Sequence, residues 1–400
     1  MTIEGYEVER LPLKDLDGAL IALVVAKKTW AVGEDRVLRP AEDPDPIRFV
    51  PLLESGDDPS ASPVRIEADT AIRKPKADLV IVGTAWAPDG NPAPVFDVEV
   101  VFGSFRRTLR VFGPRRAIYR KPSKQTRTET VYTPPVFTDP TPVLRVPMSF
   151  TVAYGGVARF RVPDAADVIE IPCPSNPFGK GYCVQNSPEG LEGLELPQVE
   201  DPQNLLTPET VVRELGAPEN LPLPAGFAFY GSGWYPRVAY AGVMPYEVDR
   251  VREQVREQAA RLDPQKDAAA IEMLKNFDPP VMAYEFFQGA APGMTIPHPR
   301  GDESVVLKNL SRTGHLAFNL PGRRPLLKLD LGSGPQVVPL TLDTVTILAD
   351  EMRVLLTFRG RVTLDRPELA EALPTLPLQL TETDIAEYKR IASAGTGSAA

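Results

Sequence analysis

The stretch Val95-Phe96-Asp97-Val98-Glu99-Val100-Val101-Phe102, followed after a short break by Arg107-Thr108-Leu109-Arg110-Val111-Phe112, alternates apolar and polar residues with period two. That period places one set of side chains on a core face and the other toward solvent, so both runs read as strands of a half-buried sheet. Pro88-Asp89-Gly90 and Asn91-Pro92 supply the turn before them. Outward from this pair, short apolar runs recur at Leu144–Tyr154, Ser304–Leu307, Gly314–Leu320, Leu326–Leu329, Val337–Leu342, Thr344–Leu348 and Val354–Phe358. Residues 17–32 read as a strand pair, Ala19–Ala26 and Thr29–Val32, interrupted at Lys27 and Lys28. A similar pattern at Asp78–Trp86 hints at an internal repeat.

Forty-four prolines among 400 residues exclude long helices over most of the chain, because proline lacks an N–H and fixes φ. The expected fold is therefore mainly β: short-stranded antiparallel sheets, as sandwich or barrel-like lobes, with long ordered Pro/Gly-rich loops and a helical hairpin insert. Val248, Val251, Val255 and Leu262 fall near helical spacing within a charged, Gly-free segment ending before Pro264, and a second short helix follows over Asp267–Phe277. An amphipathic pair lying on the sheet is the favoured reading of this hairpin, a partner-binding knob the other. The expected organisation is an N-terminal β lobe over 1–160, an ordered loop region over 161–246, the helical insert over 247–277, a C-terminal β lobe over 278–362, and an extension over 363–400 with a disordered tail.

A net charge of −9 argues against nucleic acid as a partner. The basic run Arg106, Arg107, Arg110, Arg115, Arg116, Arg120, Lys121, Lys124 and Arg127 reads as a solvated face before an anion site. The acidic N-terminus lacks the pattern of a secretory signal, the longest apolar run is too short to span a bilayer, and two cysteines suggest a reducing compartment, so a cytoplasmic protein without membrane contact is expected. Gly231-Ser232-Gly233 lacks the spacing of a serine-hydrolase elbow. Asn176–Gly181 lacks the first glycine and the Ser/Thr of a phosphate-binding loop. Cys173, Cys183, His298 and His315 match no zinc spacing. No metal, cofactor or catalytic residue is expected. Neighbouring acids such as Glu192 with Glu195, or Glu200 with Asp201, leave open a carbohydrate-active hydrolase, which needs two carboxyls about 5–9.5 Å apart.

A series of small motifs runs through the loop region. Tyr154-Gly155-Gly156 comes first, then Asn176-Pro177-Phe178-Gly179-Lys180-Gly181 and Leu196-Pro197-Gln198-Val199-Glu200-Asp201-Pro202. Ala225-Gly226-Phe227, Trp234-Tyr235-Pro236-Arg237 and Ala241-Gly242 follow. In this order they resemble the bacterial domain of unknown function 2169 family, encoded beside type VI secretion genes. Further likeness lies at Val24–Trp30, Asp78–Trp86, Gly301-Asp302-Glu303 and Leu342-Asp343-Thr344, so it extends from about residue 10 to 362. It implies an adaptor or chaperone, not an enzyme, that binds a secreted effector and promotes its loading onto the VgrG/PAAR spike. A structural component of a contractile injection apparatus is the remaining alternative. Two departures concern the partner: Gly113-Pro114-Arg115 stands where the family has Gly-Asp-Arg followed by Trp, and Met244-Pro245-Tyr246 with the helical insert replaces a Tyr-Asp turn ending in Trp. Trp234, Tyr235, Arg237, Phe178 and Tyr182 are the partner-binding candidates, since aromatics and arginine dominate interface hot spots. Tyr154, Gly155, Gly156, Asn176, Pro177, Gly179, Gly181, Leu196, Pro197, Glu200, Pro202 and Gly242 are expected to hold the loop framework. The motifs leave the oligomeric state open.

Overall fold

A computed structural model describes residues 2–122, 133–162, 167–216, 218–332 and 334–395. Val95–Phe102 and Phe105–Phe112 pair antiparallel in a hairpin, with Phe102 opposite Phe105 and Val95 opposite Phe112. Phe96, Val98, Val100 and Phe102 point inward and are buried, as are Leu109 and Val111 on the second strand. Ser304–Lys308 continues this sheet beside Val95–Phe102, followed by His315–Asn319, while Val199–Glu200 flanks the other side.

A larger, eight-stranded sheet runs in the order Thr2–Ile3, Tyr6–Lys14, Leu20–Val32, Arg353–Thr363, Thr341–Leu348, Ala77–Val82 and Thr295–Ile296, with Leu38–Pro40 beside Leu20–Val32. The inner faces of both sheets share one hydrophobic core, to which Val24, Ile81, Ile347 and Phe358 contribute from one and Val98, Leu109 and Leu307 from the other. Each fully buried Val, Leu or Phe stabilises by about 1.5–3 kcal/mol, so this core carries most of the stability. The fold is mainly β, and none of its sheets closes into a barrel.

Several expectations are corrected. Residues 1–160 and 278–362 are not separate lobes, because strands from both interleave in each large sheet. The sheets are not all antiparallel: Ala77–Val82 pairs parallel with Thr341–Leu348. Leu20–Val32 is one thirteen-residue strand, not a broken pair. Lys27 and Lys28 do not interrupt it because each finds a partner on its own face, Lys27 with Asp69 at 2.9 Å and Lys28 with Glu382 at 2.9 Å. The C-terminal extension is folded, with strand Leu378–Asp384 pairing Arg323–Asp330 and a helix over Ile385–Gly395. The tail expected to be frayed is 393–400: its first three residues continue the helix, and 396–400 lie outside the described residues.

Opposite the apolar core, the large sheet carries a buried polar ladder that the Pro-rich 41–76 segment covers. Asp69 accepts from Lys27 Nζ, Arg48 N and Thr357 Oγ1. Lys74 Nζ donates to Asp78 Oδ2 and Thr344 Oγ1, both at 2.7 Å. Arg359 Nε lies 2.6 Å from Asp343 Oδ2, and its Nη1 donates to Ala71 O at 2.9 Å. Buried ion pairs of this kind roughly break even against apolar packing, yet breaking one is costly. They therefore tie the covering segment to one register more than they add to net stability.

Candidate partner-binding face

The loop motifs close on one another backbone to backbone. Asn176 is fully buried, and its Nδ2 donates to Phe150 O at 2.8 Å and Tyr154 O at 2.9 Å. Its Oδ1 accepts from Phe178 N, so one amide ties the 150–154 segment to the 176–178 turn. Tyr154–Gly155 pairs parallel with Lys180–Gly181. A Cβ on Gly155, whose φ is +142°, would stand 2.1 Å from Asn176 O, and one on Gly179 would meet Ala153 O at 2.5 Å. Only glycine permits that approach. Leu196, Tyr182, Cys173 and Cys183 join Tyr154 in a second, smaller core beneath these loops. Neither cysteine forms a disulfide, both are buried, and burial pushes Cys183 up from its ordinary pKa.

The aromatic candidates point mostly inward. Trp234 is 8% exposed and meets Phe150 and Tyr230 edge-on at 5.3 and 5.1 Å between ring centroids, with Phe178 at 5.8 Å. Arg237 is buried, with Nη1 2.6 Å from Glu67 Oε2 and from Tyr230 O, and Nε 2.8 Å from Phe286 O. Tyr182 is buried, whereas Phe178 and Tyr235 are half-buried. Trp234, Arg237 and Tyr182 thus do not stand as exposed anchors; they lock the loops to the scaffold. Pro177 and Pro202 lie half-buried, Pro197 is buried, and Glu200 ion-pairs with Arg115 while accepting from Leu206 N at 2.6 Å.

What does protrude is the helical insert. The chain leaves the scaffold at Gly242-Val243 and returns at Pro280-Val281, where Val243 N donates to Pro280 O at 2.8 Å and Met282 N to Val243 O at 2.9 Å. A Cβ on Gly242 would stand 2.2 Å from Pro280 O, which explains the glycine. Above this stem, helices Val248–Ala260 and Ala268–Lys275 pack chiefly on each other. Only Val248 and Ala259 are buried in them, so the pair does not lie on the sheet as expected. Exposed apolar side chains recur along these segments: Val238, Tyr240, Tyr246 and Val281 beside the stem in sequence, Met273 and Phe277 on and just after the second helix. The sequence does not single these residues out, since isolated exposed hydrophobics carry no signal of their own.

The basic run is largely neutralised. Arg106 pairs with Glu99, Arg107 with Asp201, Arg110 with Asp97, Arg115 with Glu200 and Arg116 with Glu195. Arg120 and Lys121 are exposed, and Lys124 and Arg127 lie outside the described residues. The acids proposed for hydrolysis are engaged by the same contacts. Hydrogen bonding from Lys180, with its charge, holds Glu195 below the ordinary carboxylate pKa, and Glu192 accepts from Tyr119 N. Burial pushes Glu200 upward against the pull of Arg115. His298 Nε2 lies 3.2 Å from Lys74 O, and among the described residues no three His, Cys, Asp or Glu side chains form a metal-binding group. No helix among them is long and apolar enough to cross a membrane.

Fold and face together define a mainly β scaffold with glycine-locked loops and one projecting helical hairpin. The chain belongs to the family described as "Uncharacterized protein conserved in bacteria (DUF2169)", which matches residues 17–359 and so covers the smaller sheet, the loop motifs, the hairpin and the larger sheet apart from its first two strands and the end of Arg353–Thr363. Neither a curated protein nor a solved structure matches it.

Proposed function

We propose that the protein is a non-catalytic cytoplasmic adaptor that binds a secreted type VI effector and promotes its loading onto the VgrG/PAAR spike. The type VI assignment comes from the family resemblance. The observation that carries the binding role is the hairpin on its closed stem, with Val238, Tyr240, Tyr246, Val281, Met273 and Phe277 exposed on it and on the segments that adjoin it in sequence. Apolar residues exposed together on a rigid base mark interaction surfaces, and a preformed base lowers the ordering cost of association. Trp234 and Arg237 serve this role indirectly, by fixing the segment that leads into the stem.

Affinity purification of the tagged chain from cells producing the effector encoded beside its gene tests the reading. Retention of effector, PAAR or spike protein at physiological salt supports it; recovery of the chain alone overturns it.

A further inference from the structure

A cavity of about 430 Å³ opens beside the loop motifs, between the 197–206 and 221–225 stretches. Its wall is mostly apolar, with Leu206, Leu221 and Leu223 set among prolines. Three side chains on that wall carry buried polar atoms that complete no hydrogen bond of good geometry among the described residues, Tyr154 Oη, Arg107 Nε and Arg213 Nε, with the Tyr154 hydroxyl beside the Arg213 guanidinium. Buried donors are nearly always paired, so three orphans on one cavity mark a place where a ligand acceptor belongs.

Charge narrows the ligand. Arg107 is matched by Asp201 at 3.0 Å, and Glu200 is matched by Arg115. Arg213 forms no ion pair among the described residues, which leaves one cation uncompensated on the wall. Tyr154 is 4% exposed; burial, then the neighbouring Cys173, pushes its hydroxyl upward against the pull of Arg213, so it keeps its proton at neutral pH and acts as a donor. A single negative charge with two acceptor oxygens suits one guanidinium and one phenol. A phosphate dianion would face Glu200 and Asp201 with one net positive charge to offset it, and the leucines and prolines call for an apolar body beside the anion.

We propose that this cavity binds an apolar carboxylate, either a free organic acid or the C-terminal residue of a polypeptide, with Arg213 and Tyr154 holding the carboxylate and the leucines its apolar group. The site stands apart from the adaptor reading, since a chain that retains no effector can still bind such a ligand.

Calorimetric titration of the full chain tests it with N-acetyl-leucine against N-acetyl-leucinamide, and with N-acetyl-Ala-Ala-Leu as free acid against its amide. Each acid is expected to bind at least tenfold tighter than its amide. Arg213→Gln should abolish that preference, and Arg213→Lys should keep part of it. Tyr154→Phe should weaken acid binding several-fold in a protein that stays folded by circular dichroism, because it removes the neutral donor beside Arg213. A tripeptide acid tighter than N-acetyl-leucine by tenfold identifies a polypeptide terminus as the ligand, whereas equal affinity identifies a free acid. Equal binding of acid and amide, no binding of either acid at millimolar concentration, or an acid preference that survives both Arg213→Gln and Tyr154→Phe would overturn the proposal.

Discussion

Arg359 and Asp343 face each other across adjacent strands of the large sheet, 2.6 Å apart, with both side chains 4% exposed or less. Lys74, Asp78, Lys27 and Asp69 extend this ionic ladder beneath the covering 41–76 segment. Removing one partner strands the other charge in a dry environment. Arg359→Met is therefore expected to cost about 3–5 kcal/mol in urea unfolding, and Arg359→Met with Asp343→Leu appreciably less. Equal losses in the single and double variants would show that the pairing carries no energy of its own.

Asp343 also sets an acid limit. Burial alone would push its carboxyl upward, but the Arg359 and Lys74 charges and the hydrogen bonds from Arg359 and Thr344 outweigh it and hold the pKa below the ordinary 3.8. A carboxyl depressed in the folded state contributes stability that is present above the unfolded value and lost as pH falls through the folded one. Stability should thus decline below about pH 4, with a shallower decline in Asp343→Asn after its loss at neutral pH. Parallel stability–pH curves below pH 4 for the two proteins would remove Asp343 from the account.

Asn176 spans Phe150, Tyr154 and Phe178 with one side-chain amide. Asn176→Ala leaves two buried carbonyls without this donor, at about 1–3 kcal/mol each, so a loss of roughly 2–6 kcal/mol is expected by chemical denaturation. Gly155→Ala should do worse, since its methyl would meet the Asn176 carbonyl rather than a movable side chain. A soluble Gly155→Ala protein of wild-type stability would contradict the close-packed frame described for these loops.

Trp234→Ala should cost about 3–5 kcal/mol, because the indole fills the space between Phe150, Tyr230 and Phe178. A wild-type urea midpoint with lost effector binding would instead return Trp234 to the interface.

Period-two alternation at 95–112 was enough to locate the paired strands, and the helical spacing after Glu247 located the hairpin to within a few residues. Strand order was not legible, because one partner of Leu20–Val32, Arg353–Thr363, and one of Ala77–Val82, Thr341–Leu348, lie more than 250 residues away in sequence. Lys27 and Lys28 looked like an interruption because a charge inside an apolar run signals a break unless its partner is known, and Asp69 and Glu382 are distant. The motif glycines were readable as backbone requirements, since their chemistry is local. The inward facing of Trp234 and Arg237 was not, because residue type alone does not distinguish an interface anchor from a packing anchor. Arg213 gave no signal at all: an uncompensated guanidinium becomes visible only when its neighbours are known.

In the proposed function, the hairpin on the Val243–Val281 stem is the surface that would hold the cargo. Because that stem closes independently of what it carries, replacing residues 245–278 with a short Gly-Ser linker should leave the β scaffold intact, as read by circular dichroism and the urea midpoint. Titration of the purified effector into both proteins is then the decisive measurement. The account predicts at least a tenfold loss of affinity in the shortened chain; undiminished effector binding by a folded, hairpin-less protein would contradict it.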